Sequence, residues 1–122
     1  MHRLYLILRW QESLKPYYLY AMLQPILQDN LNKVVELLKV HKVKRAYAFG
    51  SVCTDHFNDE SDIDILIAFD KVPFDGYAQN FWDLEAKLQR LLNRQVDLVP
   101  EHTLRNPYFI RVVNKTKTPI YE

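Results

Sequence analysis

Only two of the 122 residues are glycine, Gly50 and Gly76, and only one is cysteine, Cys53. Two glycines cannot make a glycine-rich phosphate loop, and no GxxxxGK[ST] motif occurs. A lone cysteine excludes an internal disulfide and suits a reducing compartment. The four histidines, His2, His41, His56 and His102, form no HxxxH or HExxH pair, so no histidine zinc site is expected. No apolar run approaches the roughly 20 residues of a membrane span. The opening MHRLYLILRW has too short an apolar core for a secretory leader, and no small-residue cleavage site follows it. With a formal net charge of +1, no overall field recruits membrane or nucleic acid. The expectation is a cytoplasmic protein with neither of those as a direct partner.

What is present is enough for one domain: a chain of this length buries roughly two-thirds of its unfolded surface. Pro25 suits a first helical position, and Leu27, Leu31, Val34, Val35 and Leu38 recur at helical spacing, so one amphipathic helix is predicted over 25–41. VKRAYAFG, ending at Gly50, reads as a strand. SDIDILIAF, starting at Ser61, reads as a second. Tyr77, Phe81, Leu84, Leu88 and Leu91 make the apolar stripe of a helix that follows Asp75. QVDLVP is a short third strand. NPYFIRVVNKT, with Phe109, Val112 and Val113 on one face, reads as a short helix, and TPIYE as a last edge strand. The order gives an α+β (α/β-like) domain, a small mixed β-sheet flanked by helices, over residues 25–122. Residues 1–24 form an N-terminal extension open to several descriptions. RLYLIL could be a strand, PYYLYAML could start a helical turn at Pro16, and Met22 could be an alternative start.

The informative stretch is AFGSVCTDHFNDESDIDILIAF, residues 48–69. Side chains alternate across a strand, so Asp62 and Asp64 share a face, their Cα atoms roughly 7 Å apart. Ile63 and Ile65 take the other face. Two like charges so placed oppose each other's ionisation, and a divalent cation removes the conflict. Mg²⁺ takes oxygen ligands, typically one or two carboxylates plus substrate phosphates. Two such ions can clamp the attacking and leaving oxygens of a phosphoryl group. Asp97, in QVDLV, can join as a third carboxylate if its strand lies beside the second. Gly50 lets backbone approach a ligand closely, and Ser51 offers a hydroxyl and an N–H to a polyphosphate. Between Asp55 and Asp75 lie seven acids and one base, and from Lys87 to Lys117 seven bases and two acids. That asymmetry suits metal and polyphosphate, although two solvated faces would read the same way.

Each element alone is common: Gly-Ser often only turns a chain, and Asp-x-Asp often sits on an exposed strand edge. Together, Gly50-Ser51, Asp62-Ile63-Asp64 and Asp97 in a third apolar strand resemble the nucleotidyltransferase superfamily, and specifically its small stand-alone members, the minimal nucleotidyltransferases (MNT proteins). The similarity runs from about Ile26 to Tyr121. It implies the nucleotidyltransferase fold, with Asp62, Asp64 and Asp97 as catalytic metal ligands for Mg²⁺, two ions being expected. It further implies Gly50 and Ser51 as the triphosphate contact and an NTP, ATP foremost, as donor. Many minimal members pair with a helical HEPN toxin as its antitoxin, and some add AMP to a tyrosine of that toxin. A HEPN-type partner is therefore expected, and a homo-oligomer is compatible with it. One departure stands out: many relatives have Arg-Gly where this chain has Thr54-Asp55, which removes a basic group from the site loop.

Two other readings compete with the protein adenylyltransferase. One is a non-catalytic antitoxin that masks a HEPN partner by contact. The other is transfer to a small molecule, although only 25 residues follow Asp97 to hold such an acceptor. His56 lies in the site loop, where a solvated side chain is the plainer expectation. Cys53 reads as a small core residue, Tyr47 and Phe49 as core. Tyr17, Tyr18 and Tyr20 form an aromatic cluster that could pack on a partner or on the domain itself.

Overall fold

A computed structural model describes residues 23–71 and 73–122. The strand, helical turn and tyrosine cluster considered for the N-terminal segment lie outside those residues. The elements are α1 (Pro25–Gln28), α2 (Leu31–Val40), β1 (Val43–Phe49), a 3-10 turn (Gly50–Cys53), β2 (Ile63–Phe69), α3 (Phe74–Leu92) and β3 (Val96–Pro100). A second 3-10 turn (Glu101–Thr103), α4 (Pro107–Thr116) and β4 (Thr118–Tyr121) complete the elements of the described residues.

The four strands form one mixed sheet in the order β3-β2-β1-β4. β1 runs antiparallel to both β2 and β4, while β2 and β3 are parallel. A parallel pair needs a crossover, and the 19-residue α3 supplies it. The expected α+β architecture is therefore present, with the elements in the predicted order.

The expected single helix over 25–41 is broken in two. Asn30 explains the break: its Nδ2 donates to the Ile26 carbonyl at 2.8 Å, so a side chain takes the acceptor that a continuous helix would give to backbone. Leu27, Leu31, Val34 and Leu38 nevertheless all point into the core, so the periodicity survives the kink. Leu23 is buried in the same core. Gln24 bonds forward to the site turn, its N–H donating to Val52 O at 2.9 Å and its Nε2 to Thr54 O at 2.6 Å.

Strand alternation gives the sheet two different faces. Ala46, Ala48, Ile63, Ile65, Ile67, Val96, Leu98 and Ile120 face α1, α2 and α3, where Leu84 and Leu88 complete the main core. The opposite face carries Phe49 and Leu66, packed with Val113 of α4 and partly buried Tyr47, Val99 and Leu104. Asn106 caps α4, accepting from the Tyr108 and Phe109 N–H groups at 2.8 and 3.3 Å. Of the apolar face expected for this helix only Val113 is buried. Phe109 and Val112 remain 38% and 41% exposed, and Phe109 touches the sheet through the edge of Phe49. A short helix crossing one end of a sheet can bury only one row of side chains.

Leu84 has no exposed surface at the centre of the α3–sheet contact. Leu84→Ala should cost about 2–5 kcal/mol, read by urea unfolding. A loss below about 1 kcal/mol would show that this contact does not hold the crossover in place.

Candidate active site

The site grows out of the β2–β3 pairing. The parallel register sets Ile63 against Val96, Asp64 against Asp97 and Ile65 against Leu98. The isoleucines, Val96 and Leu98 are buried in the main core, so alternation turns both aspartates to the opposite face, the face that α4 covers farther along. The condition set on Asp97 by its sequence is met: its strand lies beside β2 and its neighbours are buried. Asp62 departs slightly from its expected placement. The strand begins at Ile63, leaving Asp62 one residue ahead of it and exposed. The main-chain N–H of Ile63 donates to Gln95 O at 2.9 Å and fixes where that aspartate leaves the sheet.

Asp64 is the half-buried member of the three. Burial first, then the charges of Asp97 and Asp62, push its carboxyl from the ordinary 3.8 up to about 6. No lysine or arginine pairs with it among the described residues. An acid that gathers like charges and no counter-charge is disposed to take a cation.

Across the sheet, Phe49 pairs with Asp64, so Gly50 begins its turn directly beside that carboxylate. Gly50 has φ +77°, and a Cβ there would lie 2.6 Å from Asp64 Oδ2. Only glycine fits both the backbone conformation and the space. Its N–H donates to Thr116 Oγ1 at 2.8 Å. Of the expected Gly50-Ser51 phosphate contact, the Gly50 N–H is therefore already engaged, and Ser51 remains as the polar group of the pair. Thr54 closes the turn: its N–H and its hydroxyl each donate to Ser51 O at 2.9 Å. The loop beyond is braced by Arg94, whose Nη2 donates to Asn58 O at 2.6 Å and Ser61 O at 2.5 Å while its guanidinium lies 4.4 Å from the Phe57 ring centre.

The three acids do not form a closed cage: among the described residues no group of three or more His, Cys, Asp or Glu is arranged to hold a metal by itself. That suits Mg²⁺, which commonly keeps water and completes its shell with substrate phosphates. The unpaired, half-buried Asp64 fits such an ion. The remaining candidates resolve simply. Cys53 is buried, and burial pushes its thiol up to about 11, so it packs and does not attack. His56 is exposed and lies 3.7 Å from the exposed carboxylate of Asp55, its one ion pair among the described residues. Phe49 is buried and Tyr47 partly so. Thr116 and Arg94 carried no signal in the sequence, because each acts through main-chain atoms far away along the chain.

Gly50→Ala should cost at least about 1–2 kcal/mol from the left-handed backbone alone, and more because Asp64 must move. Thermal unfolding checks it, and an unchanged melting temperature would refute the close approach. A second expectation follows from Asp64. An acid with a raised folded pKa contributes stability that is complete below its unfolded value and is lost as pH rises through the folded one. In chelator-treated protein this contribution should disappear between about pH 4 and pH 6, and Asp64→Asn should remove that part of the decline. Melting curves at pH 4.5, 6 and 7.5 measure it; an equally steep decline in the variant would assign the effect to other groups.

A family model described as Polymerase beta, Nucleotidyltransferase matches residues 32–122. A candidate protein adenylyltransferase of Methanocaldococcus jannaschii is 37% identical over 90 residues, covering 73% of this chain and 89% of that protein. Among solved structures, a chain of a toxin–antitoxin complex with AMP-PNP superposes with a TM-score of 0.60 at 27% identity, covering 75% of this chain and 73% of that one. A chain of the Shewanella oneidensis complex between tri-AMPylated HEPN toxin and MNT antitoxin superposes with a TM-score of 0.55 at 28% identity, covering 77% and 71%. The sheet order, the Gly-Ser turn against Asp64, the in-register aspartates and these matches lead to one assignment: the chain belongs to the polymerase beta nucleotidyltransferase family.

Proposed function

We propose that this nucleotidyltransferase is an Mg²⁺-dependent protein adenylyltransferase that moves AMP from ATP to a hydroxyl of a HEPN-type partner, and so serves as that partner's antitoxin in the cytoplasm. The observation that carries the chemistry is the Asp64–Asp97 register beside Gly50. It sets two carboxylates, with no lysine or arginine paired to them among the described residues, beside a glycine turn whose backbone comes close to Asp64. The M. jannaschii relative bears the adenylyltransferase name, and the S. oneidensis complex holds an AMPylated HEPN toxin.

In this reading Asp62 and Asp64 hold the metal. When bound, Mg²⁺ neutralises charge on the phosphates and on the attacking oxygen. Ser51 binds the triphosphate. Asp97, exposed at the edge strand, is placed to meet an acceptor arriving from outside and to take its proton. The acceptor oxygen forms a bond to the α-phosphorus, the α–β phosphoanhydride bond breaks, and pyrophosphate leaves. With Asp62 and Asp97 exposed, an acceptor on a flexible segment of a protein, such as a tyrosine hydroxyl, can reach the site.

Incubation with a separately purified HEPN-type partner, ATP and Mg²⁺ should add AMP to the partner, seen by intact-protein mass spectrometry. Asp62→Asn with Asp64→Asn should abolish the gain while the fold persists. Asp97→Ala should reduce transfer more than it weakens ATP binding by calorimetry. The absence of a basic group at Thr54-Asp55 and the small size of the domain favour masking by contact. Neutralisation of the partner without mass gain, undiminished in all three aspartate variants, would establish that second reading.

A further inference from the structure

The Gly50 N–H lies just past the end of the β1 ladder. Phe49 still pairs with Asp64 on one side, and Ala48 still pairs with Thr118 on the other. Gly50 therefore has no strand partner for its donor. Thr116 provides the acceptor, its Oγ1 at 2.8 Å. Thr116 is itself held from both directions. The Lys117 N–H donates to Val113 O at 2.8 Å and closes the last turn of α4, while the Thr118 hydroxyl donates to Thr116 O at 3.1 Å. Val113 is buried against Phe49 and Leu66, and Thr118 is buried in β4. The threonine hydroxyl is thus an acceptor on a fixed mount, and the group it holds belongs to the residue in closest approach to Asp64.

We propose that Thr116 is a positioning residue of the nucleotide site: by holding the Gly50 N–H it keeps the Gly50-Ser51 turn in register with Asp64, so that Ser51 meets the triphosphate where the aspartates meet its metal. This rests on the adenylyltransferase reading for what the turn binds. Without the acceptor, the Gly50 amide is free to turn, and ATP binding must then restore an arrangement that the wild type holds beforehand. Preorganisation of this kind appears as affinity. The Thr116 hydroxyl touches no substrate in this scheme; it accepts from the Gly50 N–H and itself donates to Val112 O of α4 at 3.5 Å.

Thr116→Val keeps the branched shape and removes the acceptor, whereas Thr116→Ser keeps the acceptor. By calorimetry with ATP and Mg²⁺, the valine variant should bind about tenfold more weakly and the serine variant within about twofold of wild type, corresponding to roughly 1.4 kcal/mol and less than half of that. The KM for ATP should rise in the valine variant with that for the protein acceptor unchanged. Because the chain has only two glycines, ¹⁵N-glycine labelling yields two amide signals, and that of Gly50 should exchange with solvent faster in the valine variant only. Should the valine variant fail to fold, Thr116→Ala against Thr116→Ser makes the same comparison. Valine and wild-type proteins with equal ATP affinity, or a serine variant as weak as the valine one, would overturn the role of Thr116 while leaving the transferase reading intact. A wild-type protein with no affinity for ATP would overturn both.

Discussion

The parallel pairing of β2 with β3 is the constraint on which the rest of the site depends. It is a main-chain ladder held in place by a hydrophobic register: Ile63 on Val96 and Ile65 on Leu98, all buried against the helices. A slip of one residue would turn those side chains outward and the aspartates inward, at a cost that no hydrogen bond could offset. The buried side chains on one face of the sheet therefore set the spacing of the carboxylates on the other. The aspartate side chains oppose this pairing electrostatically. The core holds them together regardless, and the site inherits its geometry from packing.

That opposition is a characteristic tension of catalytic sites. Asp64 sits half-buried between two like charges, and its pKa is raised as a result. A well-partnered surface would have placed a lysine or arginine nearby, as the domain does elsewhere, where Arg45 grips Glu101 at 2.6 and 3.1 Å. At Asp64, among the described residues, no such partner is present. The same economy is seen at Gly50, where a missing side chain and a left-handed backbone leave the space that Asp64 occupies.

The two faces of the sheet divide the labour. The face toward α1, α2 and α3 holds most of the buried side chains and makes the fold cohesive. Among the described residues, the other packs Phe49 and Leu66 against Val113 of α4, with Leu104 partly buried beside them. This arrangement leaves two of the three carboxylates, Asp62 and Asp97, at the surface. It also makes the C-terminal elements part of the site, since α4 ends at the residue that holds Gly50 and β4 pairs beside it.

Much of this was legible in the residues themselves. Periodicity marked the helices and alternation the strands, because each of these signals depends only on neighbours in the chain; Gly50-Ser51, Asp62 and Asp64 suggested metal and phosphate chemistry, while the strand pairing set Asp97 beside Asp64. The kink at Asn30 was not legible, since it turns on whether a side chain or a main-chain N–H takes the Ile26 carbonyl. Nor was the outward turn of Val112 and Phe109, because periodicity marks an apolar face but not how much of it a sheet will cover. The contributions of Thr116 and Arg94 were invisible for a related reason: both act on main-chain groups, which look the same at every position in a sequence. The sequence by itself determined which residues carry charge, flexibility and hydrophobicity. The tertiary structure decided which distant groups meet, because the partner of a buried donor is chosen by the packing of the whole domain.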